Sequence, residues 1–137
     1  MAVELNSAAQ RFRSVPWQDI QTKILGKRFQ ISVAILSDTE MRRVRRILRA
    51  QKKFHFEPNH ALNVLSFLLG DGIGEVLLNK DQIRKEAERY GDSFRERLMC
   101  LYIHGLLHIK GYDHKHRKDE IRMTGQEEKF FGYFVKR

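Results

Sequence analysis

Three histidines near the carboxyl end of the chain have a spacing suited to holding a metal ion. His104 and His108 are four residues apart, so on a helix their rings lie on one face, one turn from each other. Gly111 follows and adopts a positive φ at little cost, which predicts the end of the helix and a turn that returns His114. Three imidazoles with an open fourth position form a catalytic zinc site, so we predict one Zn²⁺ on His104, His108 and His114.

The residues around the histidines leave the chemistry open. The spacing H-x-x-x-H-x-x-G-x-x-H is typical of zinc metalloproteases, but Gly105 stands where they carry a catalytic glutamate. Zinc lowers the pKa of bound water to about 7, so a metal supplies hydroxide without that glutamate. We expect a glutamate introduced at position 105 to lie beside the metal water and to repel a phosphate. Asp113 is a candidate catalytic proton acceptor, a residue that orients a histidine, or a turn residue.

The identity of the metal and its fourth ligand also stay open. Cys100 precedes His104 by one helical turn, and a thiolate there would close the site and make it structural. Nickel, copper and cobalt suit three imidazoles as well as zinc does.

An excess of positive charge favours a polyanionic partner. The 137 residues include 26 Lys+Arg against 17 Asp+Glu, a net charge of +9, which indicates either nucleic-acid binding or a well-solvated surface. Basic residues crowd the segment 42–53, which contains no acidic residue. We predict that nucleic-acid backbone is contacted by Arg42, Arg45, Arg49, Lys52 and Lys53.

Composition predicts one domain over residues 1–137. Hydrophobic residues make up 42% of the chain, enough for a single core. The longest apolar runs are too short to span a membrane, and the first residues lack the apolar centre of a signal peptide. The single cysteine, Cys100, cannot form an internal disulfide, which fits a reducing compartment. From these three features together we expect a cytoplasmic protein without a membrane partner.

Periodicity and capping signals predict an α+β fold with a small mixed sheet packed against helices. The expected strands are 2–6, 29–36, 62–67 and 75–78, the last two joined by a turn over 70–74. The expected helices cover 14–27 capped by Ser14, a segment after the Ser37/Glu40 capping box, a segment from Asn79 or Asp81 to Gly91, a long segment after the Ser93/Glu96 capping box, and 117–134. An apolar stripe in the second of these helices comprises Met41, Val44, Ile47 and Leu48.

Four segments resemble the YbeY family of bacterial metal-dependent endoribonucleases. Residues 104–114, HGLLHIKGYDH, resemble its signature H-G-x-L-H-L-x-G-Y-D-H. Residues 63–67, NVLSF, are similar to the end of its strand P-T-D/N-V-L-S-F, and 74–76 stand where the family has G-D-I/L. Met123 and Glu127 resemble the M-x-x-x-E of its C-terminal helix.

The resemblance implies a metzincin-like fold in which the metal-site helix ends in a turn, with a divalent metal on the three histidines. It implies a hydrolase that cleaves single-stranded RNA, matures the 3′ end of 16S ribosomal RNA and serves ribosome quality control. The implied partners are ribosomal RNA and the small ribosomal subunit, and DNA is not expected. Asn63 and Ser66 become candidate residues of the substrate strand.

One departure from the family pattern bears on catalysis. The family has an arginine eight residues before the valine of its strand, and counting back from Val64 without a gap gives Phe56. Arg49, Lys52 or Lys53 is a candidate replacement, because a cation near the metal would stabilise the charge of a phosphate transition state.

Two alternatives to the nuclease therefore remain. A non-catalytic ribosome- or RNA-binding protein with a structural metal would tolerate the loss of the arginine. A metallopeptidase has the same ligand spacing, but Gly105 disfavours it.

Overall fold

A mixed four-stranded sheet forms the centre of the protein in a computed structural model that describes residues 3–51, 62–111 and 117–135. Its strands are β1 (Val3–Leu5), β2 (Gln30–Leu36), β3 (Val64–Gly70) and β4 (Ile73–Asn79). They lie in the order β1-β2-β4-β3, where β1, β2 and β4 are parallel and β3 runs antiparallel to β4 at one edge. The prediction of a small mixed sheet is confirmed.

Six helices accompany the sheet in the described ranges. They are α1 (Ser7–Gln10), α2 (Trp17–Leu25), α3 (Asp38–Ala50), α4 (Lys80–Tyr90), α5 (Phe94–Lys110) and α6 (Arg117–Phe134). Both predicted capping boxes are present, at the starts of α3 and α5. The Asn79 side chain caps α4, and Gly91 ends that helix in the left-handed conformation. None of the described helices combines the length and hydropathy needed to cross a membrane.

Three details near the chain's start and the hairpin differ from the prediction. The short helix α1 was not predicted; the Asn6 side chain caps it and also bonds the distant backbone of Ile35. The α2 helix begins after Pro16 rather than after a Ser14 cap, because the Oγ and carbonyl oxygen of Ser14 accept hydrogen bonds from Arg95. The β3–β4 turn is tighter than expected, since the two strands continue to Gly70 and from Ile73.

Alternation along the strands divides the core between the two faces of the sheet. On one face, Ile31, Val33 and Ile35 of β2 join a large apolar cluster with α2, α5 and α6. On the other face, a smaller cluster contains Met41, Leu62, Leu65, Phe67 and Leu77. The α3 and α5 helices therefore cover opposite faces. The prediction that Ile47 lies on the apolar, core-facing stripe of α3 is wrong, because 52% of its surface is exposed.

Candidate metal centre

The helix α5 is a rigid support because most of its surface is buried. Nine of its residues are buried, among them Tyr102, whose hydroxyl donates to the carbonyl of Trp17 at 3.0 Å. Burial raises the pKa of Tyr102, so this hydroxyl stays protonated and keeps its donor role. The helix ends at Gly111, whose φ of 121° fulfils the predicted stop, and whose N–H donates to the carbonyls of Leu107 and His108.

His104 and His108 point ring nitrogens at one another from successive turns of α5. Their Nε2 atoms are 3.2 Å apart, and both side chains are partly exposed. Two nitrogens bound to one tetrahedral zinc ion at about 2.0–2.1 Å lie about 3.3–3.4 Å from each other. The pair therefore has the separation that two ligands of a common ion require, and these two residues fit the predicted metal.

Glu127 of α6 contacts the other nitrogen of His104. Its Oε2 lies within hydrogen-bonding distance of His104 Nδ1, and the two residues are 23 positions apart in the sequence. Met123 and Phe130, one turn to either side on α6, are buried in the large cluster and fix this face of the helix against α5. From the sequence Glu127 was noted only through the M-x-x-x-E resemblance, since no local pattern announces a contact between two helices.

Several predicted site residues lie outside the described ranges, so their placement is not part of this geometry. Within residues 3–51, 62–111 and 117–135, no three His, Cys, Asp or Glu side chains are close enough to hold one ion. A third ligand therefore stays a prediction. The predicted site residues beyond those ranges are Lys52, Lys53, Asp113 and His114. Phe56, the position aligned with the family's arginine, also lies outside them.

Gly105 faces the sheet rather than an open cleft. A Cβ built on Gly105 would lie 3.1 Å from Val76 Cγ1 and 3.3 Å from Val64 Cγ2, closer than side chains ordinarily approach. The Cβ of a glutamate at this position would therefore point toward β3 and β4, and the expectation that its carboxylate would lie beside the metal water stays a prediction. A side chain at this position would require Val76 and Val64 to shift by a few tenths of an ångström, because α5 packs closely on β3 and β4.

The two candidate substrate residues on or beside β3 differ in their surroundings. Ser66 is half-buried on the face of β3 that meets α5, with its Cβ 3.6 Å from the Cβ position built on Gly105. Asn63 is engaged with α4 instead, because its Nδ2 donates to Glu86 Oε2 at 2.9 Å. Of the two, Ser66 is the one that the fold brings next to the histidine helix.

Cys100 lies on α5 one turn before His104 and is half-buried. Burial raises the pKa of its thiol above the ordinary value, which favours the neutral thiol over the thiolate that binds zinc. Because a coordinating metal deprotonates a thiol, Cys100 stays open as a fourth ligand.

The three predicted arginines of α3 lie on the face of the sheet opposite the histidines. Arg42 and Arg49 are exposed and Arg45 is half-buried, and Arg42 Nε donates to Asp38 Oδ2 at 2.7 Å. An exposed pair of this kind contributes at most about 1 kcal/mol, so Arg42 is readily available to another anion. The strand β3, which packs against α5, is the edge strand of the sheet at the end away from β1.

A mixed four-stranded sheet with helices on its faces confirms the predicted α+β class. The profile of the family described as endoribonuclease YbeY matches residues 3–134, and the chain belongs to this family. Membership confirms the resemblance found in the sequence and the predicted enzyme class, a nuclease among the hydrolases.

Individual relatives and a solved structure agree with this assignment. The chain is 34% identical over 113 residues to endoribonuclease YbeY of Geobacter metallireducens, covering 74% of this chain and 71% of that protein. It is 30% identical over 124 residues to endoribonuclease YbeY of Bacillus subtilis, covering 79% and 74%. The solution structure of TM1509 from Thermotoga maritima superposes with a TM-score of 0.65 at 22% identity, over 95% of this chain and 87% of that one, which shows a common fold.

Proposed function

We propose that this protein is a metal-dependent endoribonuclease that acts on ribosomal RNA. The observation that carries the proposal is the 3.2 Å separation of the two Nε2 atoms on α5, in a chain of the endoribonuclease YbeY family. Zinc on His104, His108 and His114 would supply a Lewis acid and a water of lowered pKa at neutral pH.

The residues of the chain divide the remaining tasks. His104 and His108 would hold their side of the ion from a helix that the core immobilises, so the backbone that carries the two ligands is already in place before metal binds. The α3 arginines provide cations for the phosphate backbone, and Ser66 lies where the edge strand meets the histidine helix. In the proposal, RNA crosses this edge strand to reach both features.

The proposal also names a specific substrate, partner, role and location. We propose the 3′ end of 16S ribosomal RNA as the substrate, the small ribosomal subunit as the partner, ribosome quality control as a further role and the cytoplasm as the location. The resemblance of residues 104–114 to the family signature supports the substrate, and the net charge of +9 supports a polyanion. A metallopeptidase is disfavoured because Gly105 stands where the catalytic glutamate would be, and a Cβ there would press on Val76 and Val64.

Cleavage of precursor 16S ribosomal RNA by zinc-loaded protein tests the proposal. The wild type should cut near the 3′ end, and His108→Ala should lose the cut while retaining RNA binding through α3. A casein substrate in parallel should stay intact. Cleavage of casein would favour the peptidase, and binding of RNA without cleavage by the metal-loaded wild type would favour the structural-metal alternative.

A further inference from the structure

Glu127 reaches the histidine pair from a different helix, and its contact gives it a definite task. We propose that Glu127 is a positioning residue, which holds the His104 ring in the tautomer and orientation that bind metal through Nε2. The inference rests on the proposed metal site and adds α6 to the machinery that builds it.

The hydrogen-bonding groups fix the direction of the contact. Glu127 Oε2 lies in hydrogen-bond contact with His104 Nδ1, and a carboxylate in this position accepts a hydrogen bond when Nδ1 carries the proton. In a neutral imidazole with the proton on Nδ1, Nε2 is the nitrogen that carries the lone pair. That lone pair is on the nitrogen that lies 3.2 Å from His108 Nε2, where an ion would be shared.

The same geometry excludes Glu127 as a ligand of that ion. Its carboxylate lies on the Nδ1 side of the His104 ring, and the ion would lie on the Nε2 side. The ring therefore separates the two, and Glu127 acts on the metal only through His104. Histidine ligands of metals generally donate their second ring N–H to a carboxylate or carbonyl, which raises the basicity of the ligand.

The position of Glu127 is set by packing rather than by its own side chain. Met123 precedes it by one turn and Phe130 follows by almost one turn, and only 2% and 5% of their surfaces are exposed. The side chains of His104 and Glu127 are themselves about three-quarters covered, at 26% and 27% exposure. Partial exclusion of water strengthens a charge-assisted hydrogen bond and restricts the ring to one orientation.

The α6 helix offers a matched control next to the contact. Glu128 is the neighbouring residue, carries the same charge, and is exposed. Replacing Glu128 by glutamine changes the net charge by the same amount as replacing Glu127, without touching His104. Any difference between the two variants thus reports the contact and not the electrostatic field of the protein.

The test measures zinc affinity by competition with a chelating indicator for the wild type, Glu127→Gln, Glu127→Leu and Glu128→Gln. Glu127→Gln keeps size and an acceptor but loses the charge, and should bind zinc about 10-fold more weakly; Glu127→Leu loses both, and should bind up to about 100-fold more weakly. Glu128→Gln should match the wild type. Equal zinc affinity in the Glu127 variants and the wild type would overturn the positioning role while leaving the metal site intact.

A second measurement needs no variant. The ¹⁵N NMR spectrum of metal-free wild type should show His104 as the Nδ1–H tautomer, and a neutral Nε2–H tautomer would overturn the inference.

Failure of the wild type itself to bind zinc would contradict the proposed metal site and this inference together. None of the outcomes for the Glu127 variants produces that pattern.

Discussion

The helices α3 and α5 both begin with a capping box, but they differ in how much of their surface is buried. Each starts at a serine whose hydroxyl accepts from the backbone N–H three residues on, and each has a glutamate that returns the bond, Ser37 with Glu40 and Ser93 with Glu96. Beyond the first turn they diverge. One residue of α3 is buried, Met41, whereas nine residues of α5 are.

The difference shows that a local signal starts a helix while tertiary packing decides its use. Buried on the sheet and against α2, α4 and α6, α5 presents its histidines in one fixed geometry, which metal ligands need. With one anchored side, α3 exposes Arg42 and Arg49, which in the proposal contact RNA phosphates. A rigid site and an adaptable surface are thus separated by the thickness of the sheet.

The largest effect is expected where α5 packs most closely. Gly105→Ala should lower the free energy of unfolding by about 1–3 kcal/mol, because its Cβ would lie 3.1 Å from Val76 Cγ1 and would force Val76 to shift in a packed core. Gly105→Glu should cost several kcal/mol, since it also buries a carboxylate. The control is Gly125→Ala at an exposed position of α6, where a Cβ meets nothing within 4 Å. It should raise the free energy of unfolding by up to about 1 kcal/mol. Denaturant unfolding of the three variants measures this, and a stable, well-folded Gly105→Glu would contradict the packing account.

The basic surface of α3 should matter for binding and not for stability. Replacing Arg42, Arg45 and Arg49 by glutamine should weaken RNA binding and reduce the slope of log K against log salt by about 0.7–0.9 units per lost phosphate contact. Titrations at several salt concentrations provide the slope. The matched set on α4 is Arg84, Lys85 and Arg89, which removes the same charge. If both sets act equally, RNA responds to net charge and α3 is no specific surface.

Removing the serine caps of α3 and α5 should have smaller effects on stability, and these effects should differ between the two helices. Ser37→Ala and Ser93→Ala each remove a bond to an N-terminal N–H and should cost about 1 kcal/mol. Hydrogen exchange should separate them. Loss of protection should stay in the first turns of α3 in the first variant and should spread through α5 and the sheet in the second, because α5 is part of the cooperative core. Identical exchange patterns would mean that α3 is as tightly coupled to the core as α5.

Acid should destabilise the start of α3, and this loss of stability should be the smallest of the predicted effects. A hydrogen bond from Arg42 lowers the pKa of Asp38, and the backbone of Ser37 lowers that of Glu40. A carboxyl group with a lowered pKa in the folded state stabilises it above its ordinary pKa, and this contribution is lost as pH falls through the folded value. Stability should therefore decline below about pH 4, and Asp38→Asn should decline less. An equal decline in both proteins would place the acid-sensitive groups elsewhere.

Much of the fold was predictable because its signals are local. Both capping boxes, the Asn79 cap, the Gly91 and Gly111 stops and the alternation along β2 all appeared as expected. The same holds for the pairing of His104 with His108, since residues four apart on a helix share a face whatever surrounds them.

The missed features depend on residues that are distant in sequence. The Asn6–Ile35 bonds stabilise α1, and the Arg95–Ser14 bonds take the expected cap away from α2. The direction of Gly105 depends on how α5 rotates against the sheet, which periodicity alone does not fix. The role of Glu127 likewise required the packing of α6 on α5.

X-ray absorption of the zinc-loaded protein tests the metal site most directly. We expect first-shell nitrogen or oxygen scatterers at about 2.0–2.1 Å with the outer-shell pattern of three imidazoles, and two imidazoles in His108→Ala if any metal is retained. That result would place the ion on the histidine face of α5 with a position left open for water. A sulfur scatterer at about 2.3 Å would show that Cys100 closes the site, and would contradict an open catalytic centre.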